Sequence, residues 1–490
     1  MNEHVVIVGA GLGGLECGYI LAKNGMRVTV LEHDAQVGGC LQSFRRGIVL
    51  FDSGFHYVGG LREGESLHGL FKYFDLLDLQ WQQLDEECFD EVVFGDNSYK
   101  FASGHERFVE TLAEAFPHEK KNLAVYTNFL RSVGEHIADT FLPREVTDFY
   151  ADSLFARSAY QFLNDTIQDT LLRRVLSGTS LKLELNRDML PLYVFAQINN
   201  SFIQSAWRLR GGGQQLVDKL ADSIRTMGGQ VLTKKTVTAI NEQDGVVTGV
   251  MVNGEEYVPA DYVICDVHPV AALELLGESK CVRKVFRHRI ESLKNSYGMF
   301  TVNIRLKANN SLPYFNRNIF VHKPDADLWQ VNTSTPESVM VSFYCDQPAV
   351  DLLTPMRWEQ VEHWSDTEAG HRGKDYVEFK QQKTEQCLDM VSSILPELRV
   401  SIDRVFTSTP LTYRHYTLTH QGSAYGIQKD WRSPMTTVLA PRMSVRNMLL
   451  TGQNLNLHGV LGVSMTSVLT CAQILGMDTL YQQLDVKHWK

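Results

Sequence analysis

An unbroken apolar run, Val5 to Val8, ends in Gly9-Ala10-Gly11-Leu12-Gly13-Gly14, and apolar residues then recur at helical spacing from Leu15 to Lys23. Asn24-Gly25 interrupts that period, and a second apolar run from Arg27 to Leu31 closes on the acid Glu32. Period and punctuation together predict strand, tight turn, helix and strand. The same code recurs mid-chain. Leu209-Arg210-Gly211-Gly212-Gly213 precedes a predicted helix from Gln214 to Met227, and Gly228-Gly229 precedes a predicted strand from Gln230 to Leu232. Thr236 to Ile240, Val246 to Met251 and the residues around Tyr257 predict a meander turned at Asp244-Gly245 and Asn253-Gly254. Tyr262 to Cys265 is a further apolar strand. Near the end, Met448 to Leu450 predicts a buried strand leading to a glycine turn, and after His458 to Val463 a helix is expected to about Leu475.

Two other stretches have a different texture. Residues 105–204 are mostly helical in pattern: Phe108, Leu112 and Ala115, then Leu171, Leu172, Val175 and Leu176, with an apolar and aromatic stretch from Leu190 to Phe202. Residues 295–345 alternate instead, in Met299-Thr301-Asn303-Arg305 and Val339-Val341-Phe343-Cys345, which predicts strands, and a helix is expected near Tyr376 to Ile394.

Composition narrows the class. A chain of 490 residues, 44% apolar and 21% charged, is long enough for two or more domains around a large core. The net charge of −10 comes without a basic stripe, which excludes nucleic acid as a partner. Eight cysteines without a CxxC pair argue against a disulfide framework and against a zinc site, so no metal is expected. With the first strand beginning at about His4, no signal peptide is expected. The window Leu455 to Met477 is long and uncharged, but Asn456, His458, glycines and hydroxyl residues interrupt it, and a membrane span is not expected there. The expected location is the cytoplasm, with peripheral membrane contact left open.

The first turn carries chemistry. Gly9 permits the tight bend, Gly11 lets backbone approach a pyrophosphate, and Gly14 lets the helix pack on its strand. The helix N-terminus then offers free N–H groups to the phosphates, and Glu32 stands where a carboxylate reaches an adenosine ribose. A second glycine pair, Gly38-Gly39, follows the acid, as an extended FAD requires and a nicotinamide cofactor does not.

The fingerprint, the Gly38-Gly39-Cys40 loop and the segment Phe51-Asp52-Ser53-Gly54-Phe55-His56-Tyr57 resemble the amine oxidase and phytoene desaturase superfamily of FAD enzymes, and within it the retinol saturase branch. Thr451-Gly452-Gln453-Asn454 with His458 to Val463, and Thr407 to Trp431, extend the resemblance to the end of the chain. It implies an α/β fold: a Rossmann-type FAD-binding domain from residues 1–80, 205–290 and 405–490, with an inserted α+β substrate domain, a sheet with a helical cap, from 81–204 and 291–404. It implies non-covalent FAD held by Gly9, Gly11, Leu12, Gly13, Gly14, Glu32, His33, Gly38, Gly39, Cys40, Val237, Gly452, Gln453, Gly462 and Val463. Cys40 stands where many relatives have Arg, and Gln453 where many have an acid.

For the chemistry, the resemblance implies an apolar polyene or isoprenoid substrate brought to flavin N5, with a proton delivered alongside the hydride. His56 is the first candidate donor, Tyr57 an assistant, and Tyr425 a residue of the opposite wall. His56 can equally be a structural hydrogen-bonding residue. Electrons are expected from outside, from NAD(P)H or a redox partner. Saturation leads; desaturation, cis/trans isomerisation and amine oxidation remain open, as do the exact lipid and the oligomeric state.

Overall fold

The computed structural model describes residues 3–141, 149–330 and 334–485. Strand β1 (His4–Val8) lies at the centre of a five-stranded parallel sheet and is completely buried except for its ends. On one side it pairs with β2 (Arg27–Leu31), which pairs in turn with Gln230–Leu232; on the other it pairs with Tyr262–Cys265, followed by Met448–Leu450. The order reverses at β1, so the glycine turn that follows it stands at the topological switch point, where such sheets hold ligands.

Helix α1 (Leu12–Lys23) returns from that turn. It packs against Gln214–Thr226 and against Gly459–Leu475, both as predicted apart from their ends. The helix Gly459–Leu475 starts four residues before Val463, so the segment expected to precede it forms its first turn. The contact with α1 is close because small residues meet there: Ser467 Oγ lies 3.3 Å from the Gly13 carbonyl oxygen. Glu16 is sealed between the two helices and accepts hydrogen bonds from Ser464 Oγ (2.6 Å) and Ser467 Oγ (3.0 Å). Burial pushes its carboxyl up to about 8, so it sits there as a neutral acid.

The meander Val237–Gln243, Val246–Val252 and Glu256–Pro259 forms a separate antiparallel sheet. Its turns place Asp244 and Gly245 at φ 52° and 77°, and Asn253 and Gly254 at 53° and 77°. Two consecutive positive φ values match the twist of a tight hairpin, and Asx-Gly supplies them at least strain.

The alternating stretches belong to a larger sheet than the pattern predicted. Seven strands run in the order Ile402–Ser408, Gly298–Leu306, Ala349–Met356, Ser338–Phe343, Asn318–His322, Asp90–Phe94 and Asn97–Phe101. Only the pair Asn318–His322 and Asp90–Phe94 is parallel. Both faces are covered. Phe300, Val302 and Ile304 pack in a core with Cys387, Leu388 and Val391 of helix Lys374–Val391. Met299, Met340 and Leu353 face the other way, toward Tyr57 and Tyr425. The helical insertion includes His105–Ala115, Lys120–Glu135 and Leu192–Gln204. The last of these is buried nearly all round, and two of its buried amides donate to backbone carbonyls: Gln197 Nε2 to Val133 at 2.9 Å and Asn199 Nδ2 to Phe195 at 2.8 Å. Among the described residues no helix is long and apolar enough to cross a membrane.

Candidate functional site

A cavity of about 650 Å³ follows the carboxyl edge of the parallel sheet and continues to Met340 of the seven-stranded sheet. Gly9, Gly11, Leu12 and Gly13 line it, as do His33, Gly38, Gly39, Cys40, Val237, Gly452, Gln453 and Val463. The chain thus brings together loops hundreds of residues apart, because their strands are neighbours in one sheet. Gly14 and Gly462 stand behind the wall. Their missing side chains leave room for the Gly9 carbonyl and for the Leu457 backbone, respectively.

The fit of this trough to a dinucleotide rests on what is missing from it. Gly9 has φ +99°, and a Cβ there would lie 2.8 Å from the Asp266 carbonyl oxygen; at Gly11 it would lie 2.6 Å from Asp266 Oδ2. The N-cap of α1 is Gly11, which has no side chain to cap the helix; instead Asp266 Oδ2 takes the Gly14 N–H at 2.8 Å, at the edge of the cavity. Glu32 does not line the cavity. Its Oε2 accepts the Ala10 N–H at 2.9 Å and its Oε1 the Asp34 N–H at 2.9 Å. Burial raises its carboxyl, but the His33 ring and these two N–H groups outweigh burial and hold it below the ordinary value. His33, with Nδ1 2.7 Å from Glu32 Oε1, is the member of the pair that reaches the cavity. Burial also raises the Cys40 thiol, which lies 3.9 Å from Thr419 Oγ1 and stays protonated, so the loop keeps no thiolate.

Beyond the glycine loops the walls become apolar, with Ile198, Phe202, Met340, Leu457 and Val460, and the candidate catalytic residues stand among them. Tyr57 donates from its hydroxyl to Asp90 Oδ2 at 2.9 Å. Tyr425 spends its hydroxyl on the Leu181 carbonyl and packs on the His458 ring at 4.6 Å. His56 is pulled down to about 4, first by burial and then by the Arg208 guanidinium. It therefore faces the cavity as neutral imidazole. His458 is held at about 4 by burial as well.

Lys182 is the functional group that the pattern did not predict. It ends a short 3-10 turn, Ser180–Lys182, and lines the cavity beside Tyr57. Its ammonium sits 2.9 Å from Asp90 Oδ2, with side chains 5% and 0% exposed, and 4.4 Å from the centre of the Phe202 ring. Asn318 Nδ2 donates to the other Asp90 oxygen at 3.0 Å and is itself held by Arg208 Nη2 at 2.6 Å. Burial lowers the Lys182 ammonium and Asp90 opposes that shift. Of the groups at the apolar end, it is the cation.

A doubly wound sheet with a glycine trough at its switch point, opening into an apolar chamber, defines a dinucleotide-dependent enzyme. The chain belongs to the flavin containing amine oxidoreductase family, which it matches over residues 12–475, and is an FAD-dependent oxidoreductase. It is similar to all-trans-retinol 13,14-reductase of Danio rerio, 27% identical over 96% of this chain and 85% of that one. A phytoene desaturase of Phycomyces blakesleeanus is 24% identical over 55% of this chain and 49% of its own length. Among solved structures, an oxidoreductase from Methanosarcina mazei shares the fold with a TM-score of 0.64 at 16% identity, covering 95% of this chain and 98% of that one.

Proposed function

We propose that the chain reduces a conjugated C=C bond in an apolar isoprenoid, a retinoid or carotenoid in type. The observation that carries this reading is the continuity of the cavity: the glycine trough opens directly into a chamber walled by Ile198, Phe202, Met340 and Leu457. Gly9, Gly11, Gly38 and Gly39 would hold FAD in the trough, and it would supply the hydride there. The chain supplies the proton that the neighbouring carbon requires. With His56 and His458 neutral, Lys182 is the donor, oriented by Asp90, and Tyr57 shares that carboxylate. The resemblance to retinol 13,14-reductases supports the substrate class. The sequence carries one dinucleotide fingerprint, at residues 9–14, so reducing equivalents would come from outside the chain, from NAD(P)H in solution or a redox partner.

A second reading, desaturation of the same bond class, is favoured by the match to a phytoene desaturase and by the lowered ammonium of Lys182, whose neutral form would accept a proton. Amine oxidation fits less well. The carboxylates lining the cavity are Asp266 and Glu274, one at the fingerprint and one on the helix that packs on the meander, and the apolar chamber offers an amine only the like charge of Lys182. The test is anaerobic: flavin reduced with dithionite is mixed with all-trans-retinol, a carotenoid panel and simple amines. Flavin reoxidation with matching loss of polyene absorbance supports saturation. Oxidised flavin bleached by an amine, with the polyenes inert, refutes it.

A further inference from the structure

Asp266 follows strand Tyr262–Cys265, so the parallel pairing with β1 delivers its side chain directly to the glycine turn. Its Oδ2 accepts the Gly14 N–H at 2.8 Å. A Cβ built on Gly11, Gly13 or Gly452 would stand 2.6, 2.8 or 2.5 Å from one of its carboxylate oxygens. The acid is therefore wrapped by both glycine loops, lines the cavity, and occupies the start of α1, where N–H groups and dipole favour an anion. That place is also the one the fingerprint offers to a pyrophosphate. Two anions do not share it without a proton.

We propose that Asp266 is a cofactor-binding residue that works as a neutral acid, taking up a proton as the pyrophosphate enters and donating its O–H to a phosphate oxygen. The proposal rests on the FAD reading above. It couples cofactor affinity to pH. Burial, with the Glu32 carboxylate adding to it, pushes Asp266 up to about 7 against the opposing Gly14 and Gly11 N–H groups, and a pyrophosphate alongside would push it higher still. The groups that face it are accounted for element by element. Glu16 on α1 is neutral at about 8, and Glu32 at the end of β2 is ionised. Cys40 of the second loop and Cys265 on its own strand are thiols raised by burial. His268 and His420, stacked at 4.7 Å along the same wall, are both lowered by burial. His33, raised by Glu32, and Glu274 and Lys235 farther along the cavity wall complete the set. Below about 7 Asp266 is already protonated and binding costs no proton. Above it each pH unit weakens binding by up to tenfold, until the acid titrates in the complex too.

The test measures the Kd of flavin-stripped full-length protein for FAD, by flavin fluorescence, from pH 6 to 9. The wild type is expected to bind at least tenfold more weakly at pH 8.5 than at pH 6.5. Asp266→Asn keeps an acceptor for Gly14 N–H and an N–H for the phosphate, and is expected to bind with a Kd constant within twofold. His33→Gln should keep the wild-type slope. On the wild type, read by displacement of FAD, ADP should also bind more weakly as pH rises, and adenosine, which lacks the pyrophosphate, should show no slope. A flat wild-type profile with measurable binding, or an Asp266→Asn slope equal to the wild type's, overturns the proposal. Failure of FAD and ADP to bind at every pH overturns the FAD reading and the proposal with it.

Discussion

Replacing Lys182 by Met removes one half of an ion pair that has almost no solvent. At 2.9 Å the gross attraction between Lys182 and Asp90 is about 6 kcal/mol at an effective dielectric constant near 20. Taking each ion out of water costs several kcal/mol, so the intact pair contributes little net stability. The asymmetric break is another matter. It strands Asp90, 0% exposed, with the neutral donors Tyr57 and Asn318 and, behind Asn318, the Arg208 guanidinium, and such breaks cost about 3–5 kcal/mol. We expect Lys182→Met to lose about 3 kcal/mol, the low end, because those two donors remain. The double variant Lys182→Met/Asp90→Asn removes both charges and should recover most of the loss. Urea unfolding followed by circular dichroism, on all four members of the cycle at one flavin concentration, measures this. In the same samples Lys182→Met should keep its flavin spectrum but transfer hydride to a polyene about 100-fold more slowly. A single variant within 0.5 kcal/mol of wild type, or a double variant as unstable as the single, would refute the reasoning, since either shows the ammonium to be solvated.

Glu16 sets a pH dependence of opposite sign to that of a paired surface carboxylate. Its folded value, about 8, lies above the unfolded one, so the folded state holds a proton the unfolded state lacks between those values. Stability is then greatest in acid and falls by about 1.4 kcal/mol per pH unit as pH rises through that window. Glu16→Gln should flatten the slope of urea midpoint against pH between 5 and 8, and an unchanged slope places the titration elsewhere. Gly14→Val drives a side chain into the Gly9 carbonyl and should leave the purified protein colourless, whereas a fully yellow variant would count against the fingerprint. His56→Phe should retain FAD and slow polyene reduction by less than tenfold, because the imidazole is already neutral; a thousandfold loss, read by stopped-flow, would restore it as the proton donor.

The parallel sheet was legible because four of its five strands, all but Tyr262–Cys265, are short segments within two residues of a glycine, and glycine is the residue that a turn at a switch point cannot replace. The second sheet was legible only in part. Met299-Thr301-Asn303-Arg305 shows period two, but Ala349–Met356 and Asn318–His322 are buried on both faces and carry no alternation to detect. Lys182 was hidden for a related reason. Leu181-Lys182-Leu183-Glu184-Leu185 has the alternation of a half-exposed strand, yet the chain turns there, and Lys182 and Glu184 go inward to partners far away in sequence, Asp90 and Arg357. Glu32 illustrates the converse. Its position was readable from spacing, but its hydrogen bonds to Ala10 and Asp34 depend on loop coordinates that spacing does not encode.

The seam between α1 and helix Gly459–Leu475 has a consequence for biosynthesis. The fingerprint leaves the ribosome long before Gly452, Gln453 and the helix that seats Glu16 against Ser464 and Ser467. Strand Met448–Leu450 must also dock beside Tyr262–Cys265 before the trough has its second wall. Contacts so distant along the chain form late and slowly. A nascent chain stalled before Met448 would therefore expose an unpaired edge on Tyr262–Cys265 and an open trough.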